Sequence, residues 1–222
     1  MEKKISLAEY FPIWQKLTSQ EQDLLLKYAT YQKFPAGTIV HNGSEDCLGI
    51  LVIHSGQLRS YMLSDEGREI TIFRMFEMDM CLFSASCMMK NIQFEITIAA
   101  EKDTEAWVIP PHIYKKLMEE SVAVANYTND IITGRFSEVM WLMEQVMWKS
   151  FDRRLAAFLL EECNIEDSLM LTITHEKIAN HLGTAREVVT RMLRYFQVEG
   201  MVKLKRGGLE VLDSKKLQQL AE

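Results

Sequence analysis

The chain has few cysteines and no long apolar runs, and each scarcity excludes a class of protein. Its 222 residues include four cysteines, with no Cys-x-x-Cys pair and no zinc-finger spacing. No apolar run approaches the length of a membrane helix. The first residues, MEKKISLAEYFPIW, lack the apolar core of a signal peptide. We therefore expect a cytoplasmic protein without membrane contact, whose cysteines are four reduced and mostly buried thiols.

Catalytic patterns are also missing, and the charge is unevenly distributed. The sequence contains no nucleophile–base–acid set, no phosphate-cradling glycine loop and no metal-spaced cluster, so we do not expect an enzyme. The net charge is −6, but residues 1–150 hold 14 Lys/Arg against 20 Asp/Glu, whereas residues 168–222 hold 9 against 6. The C-terminal part is thus locally basic. Because exposed charges are screened within about 10 Å at moderate salt, this local excess can attract phosphates.

Residues 33–110 consist of short runs rich in Ile, Val, Thr, Phe and Tyr, separated by turn signals. Asn42-Gly43, Ser55-Gly56 and Asp65-Glu66-Gly67 mark the turns, and the runs between them alternate partly between apolar and polar residues. Such a series predicts an antiparallel roll or barrel, and the expected fold is a β-roll of the double-stranded β-helix or jelly-roll type. Pro110 and Pro111 then end the last strand and begin a helix.

The stretch from Ser121 to Trp148 contains no proline and a single glycine, which predicts one long helix. Apolar residues recur in it at spacings of 4, 3, 4 and 3, which is the 3.5-residue repeat of a coiled-coil seam. The alternative is a helix buried in its own domain. The predicted dimer seam consists of Ile132, Phe136, Val139, Met143 and Val146.

Residues 174–194, THEKIANHLGTAREVVTRMLR, carry the pattern of two short helices joined by a tight turn. Leu182-Gly183 ends the first helix, and Thr184 is a candidate cap for the second. An apolar face that contains Val188, Val189, Met192 and Leu193 leaves an Arg/Glu/Arg edge exposed. This is the pattern of a helix–turn–helix whose second helix enters a DNA major groove.

After Gly200, the runs VKLK and LEVL flank Arg206-Gly207-Gly208, which predicts a β-hairpin wing. The chain is therefore predicted to be α+β. We expect a roll domain over residues 1–118, a dimerisation helix and hinge over 119–149, and a winged helix–turn–helix domain over 150–222.

The order of these parts resembles the Crp/Fnr family of bacterial transcription regulators over about residues 20–220. The segments that carry the resemblance are FPAGTIVHNG, SGQL and DEGREIT in the roll, DRRLAAFLL, and TAREVVTRMLRYFQVEGMV. The resemblance implies a homodimer that binds a palindromic, TGTGA-like site in double-stranded DNA and contacts RNA polymerase. An alternative of another class is a small-molecule-binding roll whose winged helix makes protein contacts.

Arg186, Glu187 and Arg191 match the Arg-Glu-x-x-x-Arg pattern of the family's recognition helix. Arginine can fork onto guanine O6 and N7, and glutamate can accept from cytosine N4. Against this, Thr184 and Glu187 could form a capping box, and the arginines could lie on a solvated face. Wing cations are most simply phosphate contacts. The candidate DNA-binding residues are Thr184, Arg186, Glu187, Thr190, Arg191, Lys203, Lys205 and Arg206.

No cofactor is expected. In the cyclic-AMP-binding branch of the family, a Gly-Glu pair holds the ribose and an arginine holds the phosphate; here Leu82-Phe83 and Phe94-Glu95 stand at those positions. Phe94 offers a phosphate no donor, and Glu95 would repel it. No cysteine precedes Cys47, which argues against the N-terminal iron–sulfur cluster of the oxygen-sensing branch. A haem would need an axial ligand, and a lone histidine such as His41, His54 or His112 is more often a surface residue.

The roll is nevertheless the candidate effector domain. Its pocket would be apolar, so any effector would be hydrophobic or aromatic; alternatively, the protein's own side chains fill the space. Cys81 and Cys87 flank this region and could form a redox switch, although neither has a basic neighbour that would lower its pKa. The candidate pocket residues are Phe73, Met75, Cys81, Phe83, Phe94 and Tyr127.

Overall fold

The computed structural model describes residues 6–43, 47–88 and 95–222. Its contacts divide the chain into two compact units, one formed by Met1–Met62 and Ile72–Val139, the other by Leu63–Thr71 and Met140–Glu222. The helices are α1 Leu7–Tyr10, α2 Ser19–Tyr28, α3 Pro111–Glu120, α4 Val122–Trp148, α5 Phe151–Ile165, α6 His175–Leu182, α7 Arg186–Val198 and α8 Ser214–Ala221. The strands are β1 Thr30–Phe34, β2 Ile39–Asn42, β3 Ile50–Ser55, β4 Leu58–Leu63, β5 Glu69–Met75, β6 Met80–Cys81, β7 Thr97–Ala100, β8 Thr104–Ile109, β9 Met170–Leu171, β10 Val202–Lys205 and β11 Gly208–Val211.

The first unit is an antiparallel roll, as predicted. One sheet has the order β1-β8-β3-β6 and the other the order β2-β7-β4-β5. Strand β3 is buried on both faces because its side chains alternate between two cores. Leu51 and Ile53 pack with residues of both sheets, whereas Ile50 and Val52 pack with the helices α1 to α4. The apolar run ILVI therefore has no solvent face.

Glycine and proline end the elements of the roll where the sequence predicts. Gly56 has a φ of +91°, and a Cβ there would lie 2.3 Å from the carbonyl oxygen of Asp103. No other residue fits that turn between β3 and β4. Pro111 occupies the first turn of α3, the helix position at which proline is favoured. The long helix α4 follows, and its 27 residues span the predicted stretch.

The second unit contains the predicted helix–turn–helix and wing. Helix α6, helix α7 and the hairpin β10–β11 appear in that order, and α5 and α8 pack into the same core. The sequence did not reveal β9, which extends the hairpin to a three-stranded sheet of order β10-β11-β9. A Cβ at Gly208 would lie 2.1 Å from the carbonyl oxygen of Leu171, so this close approach between β11 and β9 requires glycine. None of the helices in the described ranges is long and apolar enough to cross a bilayer.

Candidate DNA interface

The turn between α6 and α7 begins as predicted, with α6 ending at Leu182 and Gly183. The Thr174 hydroxyl accepts a hydrogen bond from the Lys177 N–H at 3.1 Å and caps α6. Gly183 follows Leu182 with a φ of +67°, the left-handed conformation that ends a helix most easily in glycine. The short connection from Gly183 to Ala185 then places α7 directly after α6.

The predicted cap of α7 is wrong. The helix begins at Arg186, its N-cap position is Ala185, and no side chain caps its first N–H groups. Thr184 lies one residue too early to be the N-cap, so Thr184 and Glu187 form no capping box. Glu187 is exposed instead, and its carboxylate remains available to accept hydrogen bonds from a ligand.

Helix α7 has one apolar and one charged face. Val189, Leu193 and Phe196 are fully buried in the core of the unit, while Val188 and Met192 are half-buried beside them. The opposite edge carries a row of exposed charged side chains. These are Arg186, Glu187, Arg191 and Arg194. Burial of one face therefore directs three guanidinium groups and one carboxylate to solvent from a single helix.

Thr190 lies on the same edge but is hydrogen-bonded within the protein. Its hydroxyl donates to the carbonyl oxygen of Arg186 at 2.9 Å and also lies 2.9 Å from Nδ1 of His175. Thr190 therefore links α6 to the first turn of α7, a contact that the sequence pattern alone did not indicate.

The wing presents three exposed cations of unequal availability. Lys205 forms an ion pair across the hairpin, with 2.8 Å between its Nζ and Oε2 of Glu210. The same contact lowers the pKa of Glu210. Within the described part of the chain, Lys203 and Arg206 form no ion pair with an acidic side chain. These two side chains are therefore the stronger candidates for phosphate contacts.

A cavity of about 450 Å³ lies between the start of α6, the first turn of α7 and the tip of the wing. Its charged and ionisable lining consists of His175, Glu176, Arg186 and Lys205. The pKa of His175 is lowered mainly by burial of its imidazole and, to a smaller extent, by the positive charges of Arg186 and Arg194. The cavity therefore combines two cations and one carboxylate with an imidazole whose pKa is lowered.

The candidate pocket residues of the roll differ in their surroundings. Met75 and Cys81 lie in the core, with 0% and 1% of their surface exposed. Phe73 and Phe83 contact each other with 5.6 Å between ring centroids, and Tyr127 is half-buried. Phe94 lies outside the described residues. Phe73, Met75, Cys81 and Phe83 thus lie together in one core cluster of the roll, whereas Tyr127 packs with the neighbouring cluster.

The sequence pattern missed Arg135, which lies against this aromatic pair. Its guanidinium is centred 4.6 Å from the Phe73 ring centroid, within the range of a cation–π interaction. It also forms an ion pair of 2.8 Å with Glu138. In the sequence, Arg135 resembles any solvent-facing charge of a long helix, but its side chain is only 13% exposed.

The expectation of four reduced thiols is wrong at Cys47, which is disulfide-bonded. Cys81 and Cys163 have free, buried thiols, as predicted. The Cys87 side chain lies outside those that the structure describes. Burial raises the pKa of both free thiols, so neither favours the reactive thiolate.

We predict that iodoacetamide leaves Cys81 unmodified in the native protein. Its side chain is buried and its pKa is raised, so both access and thiolate formation are suppressed. Mass spectrometry of peptides after a timed reaction would measure this, with protein unfolded in guanidinium as the control for full modification. Rapid native labelling of Cys81 would show that the roll core opens and would restore Cys81 as a redox candidate.

Helix α4 carries uncovered apolar side chains along the predicted seam. Ile132, Phe136, Met143 and Val146 are 44%, 65%, 48% and 44% exposed, and Val139 is half-buried. Met140, Trp141, Met147 and Trp148 are also exposed. The alternative that α4 is buried in its own domain therefore fails for most of the seam.

Comparisons with known proteins cover both units. A model of the cyclic nucleotide-binding domain matches residues 31–121, and a model of the Crp-like helix-turn-helix domain matches residues 153–220. A solved Crp/Fnr-family structure from Eubacterium rectale is 60% identical, with a TM-score of 0.93 over 96% of this chain and 99% of that chain.

Two other proteins match most of the chain, one in sequence and one in fold. The Cyclic AMP receptor protein of Thermus thermophilus is 24% identical over 95% of this chain and 96% of its own length. The c-di-GMP-responsive regulator CLP of Xanthomonas campestris, at 14% identity, matches in fold with a TM-score of 0.74 over 88% of this chain and 100% of that chain. With a near full-length relative at 60% identity and both domain models matched, the chain belongs to the Crp/Fnr family.

Proposed function

We propose that the protein is a transcription regulator that binds a palindromic, TGTGA-like DNA site as a homodimer. The observation that carries this proposal is the charged edge of α7, where Arg186, Glu187 and Arg191 are exposed while Val189 and Leu193 are buried behind them. A helix with this division can enter a major groove without exposing its apolar face.

The chemistry of that edge matches base recognition. Arginine donates in a fork to O6 and N7 of guanine. Glu187, whose carboxylate is not used in a capping box, can accept from N4 of cytosine. Lys203 and Arg206 extend from the wing as cations suited to the phosphate backbone, which they would bind without regard to sequence. The α7 side chains would thus supply specificity, and the wing would supply general affinity.

The exposed face of α4 supports the homodimer. A contiguous apolar face on a monomer is a candidate protein interface, and its 3.5-residue repeat suits a second copy of the same helix. Two copies related by a two-fold axis would present two recognition helices to two half-sites, which accounts for a palindromic target. Contact with RNA polymerase would follow from this family's role at promoters.

A band-shift titration tests the function. The purified protein is mixed with a duplex that contains two inverted TGTGA half-sites, and with a duplex of the same composition in scrambled order. We expect binding to the palindrome to be about 1,000-fold tighter than to the scrambled duplex at physiological salt. Equal, weak binding to both duplexes would favour the alternative in which the winged helix makes protein contacts.

The roll would control this activity through an effector other than a cyclic nucleotide. We predict that isothermal titration calorimetry with cyclic AMP or cyclic GMP gives no heat of binding at micromolar protein. Phe83 packs against Phe73 where the family's ribose-binding glutamate would stand, and Glu95 is exposed beside the phosphate position. Neither side chain can donate to a phosphate. Micromolar binding of either nucleotide would contradict this prediction.

A further inference from the structure

The hydrogen bonds of Thr190 assign the tautomer of the neutral His175 ring. A threonine hydroxyl has one proton, and Thr190 donates it to the carbonyl oxygen of Arg186. With that proton committed to Arg186, we assign the contact of 2.9 Å between Thr190 Oγ1 and His175 Nδ1 to an Nδ1–H that donates to the hydroxyl oxygen. In the neutral imidazole, Nε2 is then an acceptor with no proton. No hydrogen bond to this Nε2 is found within residues 6–43, 47–88 and 95–222.

The surroundings of His175 favour this neutral form in the free protein. On α7, Arg186 and Arg194 raise the positive potential at the ring. On the wing, Lys205 lines the same cavity, although Glu210 pairs with it.

On α6 itself, Glu176 lines the cavity and Lys177 lies two residues away. Burial and the charges of Arg186 and Arg194 together lower the pKa of His175 and so favour the neutral ring.

A phosphate in this cavity would reverse the balance. The cavity opens between the first turns of two helices and the wing, and it is bordered by Arg186 and Lys205. The positive potential that disfavours the imidazolium attracts a phosphate, whose negative charge then favours the imidazolium. Protonation converts Nε2 from an acceptor, which repels phosphate oxygen, into a donor that can bind it.

We propose that His175 is a DNA-backbone-binding residue whose phosphate contact forms only when its imidazole takes up a proton. The proposal rests on the proposed DNA-binding function, and it adds a residue that the charge pattern of the sequence does not mark. His175 also positions α7, because its Nδ1–H holds Thr190 and through it the first turn of that helix.

The sign of the pH effect follows from linkage. In the free protein the pKa of His175 lies below its ordinary value of 6.5, and phosphate would raise it in the complex. The complex therefore holds more protons than the free components between those two pKa values, so affinity for DNA rises as the pH falls through this window. The stability of the free protein depends on pH in the opposite direction. Because folding lowers the pKa of His175, the unfolded chain binds this proton more readily, so the free energy of unfolding falls as the pH falls below the unfolded-state pKa.

Binding measurements between about pH 7.5 and about pH 5.5 test the proposal. Fluorescence anisotropy with the palindromic duplex should show wild-type affinity that rises at least about tenfold over this range. His175→Asn retains a donor at the position of Nδ1 for Thr190 and removes Nε2. His175→Gln places an amide near Nε2 without a titrating proton. We expect this tenfold rise in affinity to be lost in both variants.

Salt titrations measure a quantity, the slope of log affinity against log salt, that would not change if His175 had only a structural role. At the acidic end of the range, the slope of log affinity against log salt should be steeper in the wild type than in His175→Asn by about one unit per subunit. At the alkaline end, the two slopes should agree. Circular dichroism at each pH confirms that the free proteins are folded.

The outcomes separate the two levels of inference. If no duplex binds specifically at any pH, the proposed function is wrong. If the palindrome binds specifically but the wild type and both variants share the same pH dependence and salt slope, DNA binding stands and the role of His175 is overturned. A pH dependence that persists in His175→Asn shows that another group takes up the proton, and it too overturns the role of His175.

Discussion

Replacing Phe136 and Met143 with glutamate is expected to convert the protein from a dimer to a monomer. Both side chains are exposed in the single chain, at 65% and 48%, so the substitution leaves the monomer core intact. In a two-fold seam the change places four carboxylates within one apolar interface, where unpaired charges are strongly unfavourable. Light scattering should report about twice 25.8 kDa for the wild type and about 25.8 kDa for the double variant.

Ser137→Glu is the matched control for this experiment. It adds one glutamate per chain, against two in the double variant, to the same helix, and since consecutive helical residues point about 100° apart, position 137 does not share the direction of Phe136. The control should remain a dimer and should bind the palindrome as the wild type does. A monomeric wild type at tens of micromolar would contradict the seam.

Arg186→Ala is expected to reduce sequence discrimination, whereas Lys203→Ala is expected to reduce general affinity. Loss of a guanidinium fork to guanine should cost about 1–3 kcal/mol per half-site on the preferred duplex, and should relax the preference at one base pair. Lys203→Ala should weaken binding to all duplexes about equally, and should lower the salt slope by about one unit per subunit.

The decisive quantity is the ratio of palindrome binding to scrambled-duplex binding in each variant. We expect the ratio to fall in Arg186→Ala and to stay constant in Lys203→Ala. Arg186 also borders the cavity that contains His175. An unchanged ratio together with a smaller salt slope would therefore assign Arg186 to the phosphate backbone and leave specificity to Arg191 and Glu187.

The elements that the sequence predicted are those governed by local periodicity and by glycine or proline. Val189 and Leu193 follow the helical repeat of α7, and the residues of β3 follow the strand repeat, so burial could be inferred from spacing alone. Gly183 and Gly207 have positive φ values that few other residues adopt, and they mark the ends of α6 and of β10.

The features that the sequence did not reveal depend on partners distant in the chain. The contact of Arg135 with Phe73 could not be inferred from the sequence, because Phe73 lies 62 positions earlier and meets it only in the folded roll. His175 is linked to Thr190 across the turn, and β9 pairs with β11 some 39 residues later. The cap of α7 was misplaced because Thr184 satisfies the capping-box pattern, yet the C-terminal turn of α6 extends through that residue, whose N–H bonds to Ala179 O.

The first turn of α7 has no side-chain cap, which lowers the stability of the domain but leaves backbone N–H groups available to a ligand. Ala185 leaves unmet the N–H groups that a serine or aspartate side chain would satisfy, at a cost of about 1 kcal/mol to the free protein. An approaching phosphate can satisfy the same groups, since the N-terminus of a helix attracts anions. Laboratory selection for thermal stability at position 185 would favour a side-chain cap, and an aspartate there would repel the nucleic acid. The more heat-resistant protein would be the poorer regulator.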